Sequence, residues 1–98
     1  MITPFKFSAT PAALATLYTV SVNQHGIVKG LTVANATAVA CTFNLVVFGI
    51  QIYTARTLGP FESFEAVNAI NKIGNAGDTI TITPSAAVNV LGSAVEMP

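Results

Sequence analysis

The stretch GDTITITPSA, residues 77–86, decides the fold class, because isoleucine and threonine alternate strictly between a turn pair and a proline. Successive side chains of an extended strand point to opposite faces, so Ile80 and Ile82 share one face. The opposite face carries only hydroxyl side chains: Thr79, Thr81 and Thr83. This pattern predicts a strand that packs one face on a core and presents an uncharged polar face on the other side.

The same period of two recurs along most of the chain, and helical periodicity is nearly absent. Turn residues separate the apolar runs at intervals of roughly 8–12 residues, which is typical of sandwiches and small barrels. We predict an all-β fold over residues 12–98: a single small antiparallel β-sandwich of about seven to eight short strands, jelly-roll or Ig-like. Residues 61–70 fit either a short helix or a strand, and we favour the strand because the neighbouring segments are strands.

The first eleven residues differ from the rest, since they contain Pro4 and Pro11, which disfavour helix interiors and central strands. Residues 1–11 are therefore predicted to form an extended N-terminal arm. Its two aromatic residues, Phe5 and Phe7, would then anchor it on an adjacent subunit. The alternative is that this segment is a strand closing its own sheet.

The charge content is far from average, because only 8% of the residues are charged, whereas globular domains average about 25%. A monomer with so few charges and no net charge is prone to associate. Interface cores are depleted in Lys, Glu and Asp, so the missing charges indicate that other subunits cover part of the surface. The candidate interface residues are Phe5, Phe7, Thr79, Thr81 and Thr83. The alternative is a monomer that Thr, Ser and Asn keep soluble.

Several function classes lack their characteristic residues. No cluster of Lys or Arg favours nucleic acid. The lone Cys41 excludes an internal disulfide and a thiolate-rich zinc site, and the lone His25 lies in a predicted turn without acidic neighbours. Residues 30–55 are uncharged and long enough to span a bilayer, but the polar and β-branched residues spread along them argue against it. We predict no enzyme activity, no cofactor or metal, and neither nucleic acid nor membrane as a partner.

Two stretches carry a resemblance to a known group of proteins. TLYTVSVNQHGIVKGLTVAN (residues 16–35) and NAGDTITITPSAAVNVLGSAVEM (residues 75–97) resemble small structural proteins of tailed bacteriophage virions. The resemblance covers most of residues 14–96 but not residues 44–73. It implies a β-sandwich subunit that coats the capsid or builds the neck or tail, and it implies no catalytic residues.

Together these features predict a non-enzymatic capsid decoration or cement protein on the virion surface. Its partners would be copies of itself, with a trimer as the plausible oligomer, and the major capsid protein. One alternative is a neck, collar or tail subunit that contacts other neck or tail proteins. Another is a host-glycan-binding module, for which Tyr18 and Tyr53 are the available tyrosines.

Overall fold

The computed structural model describes residues 3–98, which form two antiparallel sheets packed face to face. The strands are β1 (Thr3–Ala9), β2 (Ala15–Thr19), β3 (His25–Ala34), β4 (Cys41–Val47), β5 (Ile50–Leu58), β6 (Ser63–Glu65), β7 (Ile73–Gly74), β8 (Thr79–Pro84) and β9 (Asn89–Met97). A single turn of 3₁₀ helix, Val67–Ala69, lies between β6 and β7.

The strand order identifies the type of sandwich. Sheet A has the order β1-β9-β3-β6, with the short β7 also paired to β3, and sheet B has the order β2-β8-β4-β5. The chain therefore passes from one sheet to the other at most of its connections, which is the jelly-roll arrangement. The prediction of a small antiparallel β-sandwich is confirmed, and of the two topologies considered it is the jelly roll.

The core lies between the sheets and follows the alternation of the sequence. Ile80 and Ile82 of β8 are completely buried, as the alternation in residues 77–86 predicts. In β3 the alternation is interrupted, because Val28 and Leu31 are both buried although they lie three residues apart. A β-bulge between Val28 and Gly30 adds the extra residue and turns the following side chains back toward the core.

The N-terminal segment is part of the sandwich. Residues 3–9 form β1, which pairs with β9 in continuous antiparallel register from Thr3 opposite Glu96 to Ala9 opposite Val90. The prediction of an extended arm over residues 1–11 is therefore corrected in favour of its alternative, a strand that closes its own sheet. Pro4 is tolerated because β1 is an edge strand, where a missing backbone donor breaks no interior ladder. Residues 1–2 lie outside the described part of the chain.

The ambiguous segment between residues 61 and 70 is only partly a strand. Residues 63–65 form β6, paired with the end of β3, and the 3₁₀ turn follows directly. Ala66 and Ala69 are buried, so the turn covers the edge of the core with small side chains.

The uncharged stretch of residues 30–55 contains the end of β3, all of β4 and most of β5. Among residues 3–98 there is no helix with the length and apolar character needed to cross a bilayer.

Asn35 holds together the loops at one end of the sandwich. Its side chain is buried, and its Nδ2 donates to the carbonyl oxygens of Val39 (2.8 Å) and Gly59 (3.1 Å). Its Oδ1 accepts from the backbone N–H and the hydroxyl of Thr37 at 3.0 and 2.7 Å. One buried amide thus satisfies groups in the β3–β4 loop and the β5–β6 loop and fixes their relative positions.

Candidate assembly surfaces

The predicted threonine face is the outer surface of sheet B. Thr79, Thr81 and Thr83 point away from the core, with Thr83 exposed and the other two half-exposed. Neighbouring strands place further uncharged side chains on the same surface: Thr16, Thr19, Thr42, Asn44, Val46, Gln51 and Thr57. We call this surface the threonine face. A neighbouring molecule could cover it without removing a charged group from water.

Two internal hydrogen bonds organise the threonine face near its edge strand, β5. The backbone N–H of Ala55 donates to Oδ1 of Asn44 at 2.6 Å, where β5 bulges away from β4. Nε2 of Gln51 donates to the hydroxyl of Thr54 at 2.7 Å. The side-chain amides of Asn44 and Gln51 are thereby held against the sheet. The threonine hydroxyls of β8 remain accessible at the centre of the threonine face.

The predicted anchors Phe5 and Phe7 lie on β1 and face inward. Phe7 stacks on Tyr18 with the ring centroids 5.5 Å apart and packs directly against Gly92, where no side chain intervenes. Phe5 lies 6.4 Å from the Tyr18 ring and remains 38% exposed. Phe7 therefore closes the core of its own subunit, and of the two rings only Phe5 keeps a surface for a neighbour.

A buried ionisable pair, which the sequence did not predict, lies under the β1 edge. The Tyr18 hydroxyl donates to the carboxylate of Glu96, which is 2% exposed, and the backbone N–H of Ser21 donates to the same oxygen at 3.1 Å. Burial raises the pKa of Glu96, but the hydrogen bonds from Tyr18 and Ser21 outweigh it, so that the pKa lies below its ordinary value. Burial, followed by the hydrogen bond and the negative charge of Glu96, raises the pKa of Tyr18.

Other polar side chains make hydrogen bonds within turns and loops. Asp78 accepts from the N–H of Asn75 at 2.8 Å, and Glu62 accepts from the N–H of Gly59 at 2.6 Å. His25 contacts the side chain of Asn75 at 3.2 Å. Within residues 3–98 no group of three or more His, Cys, Asp or Glu side chains is arranged to hold a metal ion.

The end of the sandwich near Asn35 is rich in exposed apolar residues, and we call it the loop end. Four loops meet there, residues 10–14, 35–40, 59–62 and 85–88, as the pairing of the adjoining strands shows. Their exposed apolar residues are Ala12, Ala13, Leu14, Ala36, Ala38, Val39, Ala40, Pro60, Phe61, Ala86 and Ala87. The charged residue in these loops is Glu62. Exposed apolar groups concentrated in this way are characteristic of a contact surface.

Phe61 is the largest side chain of the loop end and is held in an unfavourable backbone conformation. The N–H of Glu62 donates to the carbonyl of Gly59 at 3.1 Å and closes a turn with Pro60 and Phe61 in the middle. Phe61 has φ = 55° and is 70% exposed. Glycine or asparagine is preferred at this position of a turn, and a bulky residue there costs on the order of 1–3 kcal/mol. The ring points into solvent, so packing within the subunit does not offset this cost.

A groove of about 210 Å³ lies at the opposite end of the sandwich, beside the turn that joins β4 and β5. It is lined by Val47, Phe48, Ile50, Ile52, Lys72 and Ile73. Two of the isoleucines that line it are largely exposed to solvent, Ile50 at 67% and Ile73 at 68%. We call this site the apolar groove. Its base is fixed by Phe48, whose ring would lie 2.6 Å from a Cβ added at Gly74 and therefore packs directly on that backbone.

A second and wider depression of about 410 Å³ lies on the outer surface of sheet A. Its floor is low at Gly30, which has no side chain, and at Ser93, whose side chain is small, and the backbone of Gly92 also lines it. Lys6 and Glu65 line it, together with Leu31, Thr32 and Leu91. Sheet A thus has charged residues on its outer surface, in contrast to the threonine face of sheet B.

The comparisons with known proteins identify one architecture. No protein-family model and no curated protein sequence match this chain. One solved structure is similar over 98% of this chain and 85% of that one. It is described in these words: Bacillus endospore appendages form a novel family of disulfide-linked pili. The TM-score is 0.56 and the sequence identity is 18%. At this identity the similarity shows that the two chains share a fold.

The comparison corrects the predicted setting. The protein with the similar fold belongs to a bacterial endospore appendage, and no bacteriophage family model or curated bacteriophage protein matches this chain. The predicted role as a capsid decoration or cement protein, or as a neck or tail subunit, is therefore wrong on this comparison, and so is the virion location. The comparison gives no support for capsid, neck or tail proteins as partners. The motif resemblance stays a prediction.

Proposed function

We propose that this chain is a non-enzymatic structural subunit that associates with copies of itself. The observation that carries the proposal is the combination of a charge-free threonine face with a loop end that is rich in exposed apolar residues. Exposed apolar groups gain free energy when they leave water, and a low net charge favours association at high concentration. Both surfaces share with interface cores a low content of Lys, Glu and Asp.

The threonine face suits a lateral contact. Hydroxyls can exchange water for partners across an interface at much lower cost than carboxylates or ammonium groups. Thr79, Thr81 and Thr83 are its central residues, and they remain the residues that we propose for this contact. The trimer predicted from the sequence is one oligomer that such a contact could build.

The similarity to a pilus protein supports the structural role, because the same jelly-roll fold serves as a building block of a fibre in that case. That protein is described as disulfide-linked. Cys41, the first residue of β4, is the single cysteine of the present sequence, and its side chain is buried. Because a buried thiol does not reach a neighbouring subunit, the association proposed for the folded subunit is noncovalent.

Sedimentation velocity of the purified chain over a wide concentration range tests the proposal. We expect species larger than the monomer whose proportion rises with concentration. Because charge contributes little to the proposed contacts, association should persist at 1 M salt, where ion pairs are screened. A single monomeric species from micromolar to millimolar concentration would refute the proposal.

A further inference from the structure

The loop end and the apolar groove form a complementary pair. Phe61 projects from the loop end after the last residue of β5, and the apolar groove begins beside Ile50, the first residue of the same strand. A nine-residue strand spans roughly 30 Å. The ring and the groove therefore lie too far apart to meet within one subunit. A second copy of the chain can bring them together.

The sizes of the two parts match. An apolar cavity of about 150 Å³ lined by aliphatic and aromatic side chains can hold benzene. The apolar groove has a volume of about 210 Å³ and is lined by one phenylalanine, three isoleucines and a valine, in addition to Lys72. A phenylalanine ring entering it would cover the exposed side chains of Ile50 and Ile73.

The charges beside the two parts are opposite. Glu62 directly follows Phe61, and its Oε1 caps the N–H of Gly59, which leaves the second carboxylate oxygen free of that bond. Lys72 lines the apolar groove and directly precedes Ile73. Because Glu62 is adjacent to Phe61 and Lys72 lines the groove, a ring bound in the groove would bring these two side chains into the same neighbourhood. This match favours one orientation of the two copies more than it adds affinity.

We propose that Phe61 of one subunit inserts into the apolar groove of a second copy, with Glu62 facing Lys72, and that this head-to-tail contact joins the subunits. The proposal rests on the self-association proposed above and specifies one of its contacts. It also explains why a bulky ring occupies a turn position that favours glycine: the ring serves a partner and not its own subunit.

The test uses one variant of each half of the contact and a control. Phe61→Gly removes the ring and relieves the backbone strain, so the variant should melt at or above the temperature of the wild type when both are monomeric. Ile73→Glu places a charge in the groove, and Lys72→Glu, which opposes Glu62, serves as a second groove variant should the first fold poorly. The control is Leu91→Ala, an exposed apolar residue on the outer surface of sheet A.

Sedimentation velocity of each variant gives the association constants. We expect Phe61→Gly and Ile73→Glu to associate at least about 10-fold more weakly than the wild type, as for loss of an aromatic anchor or of its site. Lys72→Glu should associate more weakly than the wild type by a smaller factor, and Leu91→Ala should associate like the wild type. An equimolar mixture of Phe61→Gly and Ile73→Glu should form one-to-one dimers that do not grow, because only one intact ring and one intact groove remain in the pair.

The outcomes separate this proposal from the one that it rests on. If the wild type associates and Phe61→Gly associates equally well, the head-to-tail contact is wrong while the self-associating function stands. If the wild type remains monomeric throughout, both proposals are wrong. Dimers that form in the mixture but in neither variant alone support both.

Discussion

The buried pair of Tyr18 and Glu96 allows a quantitative prediction. The substitution Tyr18→Phe keeps the ring that stacks on Phe7 and removes the hydroxyl that donates to the carboxylate. Glu96 then retains the bond from the Ser21 N–H in a site where its side chain is 2% exposed. A hydrogen bond to a charged group contributes about 1.5–3 kcal/mol, so we expect a loss of about 2 kcal/mol in the free energy of unfolding at neutral pH.

The loss should depend on pH in a defined direction. In the folded wild type the pKa of Glu96 lies below its ordinary value of 4.5. The ionised carboxylate therefore stabilises the fold fully above pH 4.5, and this stabilisation is lost as the pH falls through the pKa of Glu96 in the folded protein. In Tyr18→Phe one of the bonds that lower the pKa is absent, while burial still raises it. The difference in stability between the two proteins should therefore be largest near neutral pH and should narrow below pH 4.5.

Urea unfolding at about pH 7 and about pH 4, at one fixed protein concentration, measures this difference. Thermal unfolding at neutral pH gives a second measure. The melting temperature of Tyr18→Phe should be roughly 8–16 °C below that of the wild type, since each kcal/mol corresponds to roughly 4–8 °C in a domain of this size. The matched control is Tyr53→Phe, which removes a hydroxyl that accepts from the Asn68 N–H in an exposed position and should change stability by less than about 0.5 kcal/mol. An equal loss for Tyr18→Phe at both pH values, or no loss at neutral pH, would show that the pair does not act as described.

Three further substitutions test other parts of the molecule. Gly92→Ala puts a methyl group into the Phe7 ring and should destabilise the fold by about 1–3 kcal/mol in urea unfolding; recovery in the double variant with Phe7→Leu would identify overpacking as the cause, and an unchanged midpoint would refute the contact. Asn35→Ala leaves buried backbone groups of two loops without partners and should cost about 1–3 kcal/mol; a melting temperature within about 2 °C of the wild type would contradict its role. Thr81→Lys puts a charge at the centre of the threonine face and should alter monomer stability by less than about 0.5 kcal/mol while weakening self-association in sedimentation experiments; unchanged association would show that this face stays in water.

Local alternation was sufficient to predict the strands that carry the core. Residues 79–83 alternate without interruption, and the structure buries Ile80 and Ile82 while it leaves the threonines on the outside. Alternation failed where a bulge inserts a residue, as after Val28, because a period of two cannot reveal that β3 has one residue more than its regular partner β9 at this point.

The parts that the sequence did not predict depend on contacts between distant residues. Pro4 and Pro11 argued against a strand at the N-terminus, but the objection applies to interior strands, and β1 lies at an edge. The partners Tyr18 and Glu96 are 78 positions apart, so no local pattern relates them. For Phe61 a local signal existed, since Pro60 predicts a turn. The exposure of the ring and its φ of 55° became evident only from the folded loops.

The positions of Phe61 and the apolar groove limit the kind of assembly that can form. They lie at opposite ends of β5, so a head-to-tail contact is heterologous, which means that it uses a different surface on each of the two subunits. Each added subunit carries a new ring and a new groove. Such a contact builds a closed ring if the rotation between neighbours divides a full turn evenly, and an open fibre if it does not. A trimer would be the closed case with three subunits, and its size would stay constant above a threshold concentration. An open fibre would grow steadily with concentration and would be shortened by adding the Phe61→Gly variant, whose intact groove accepts one neighbour and whose missing ring prevents the next addition.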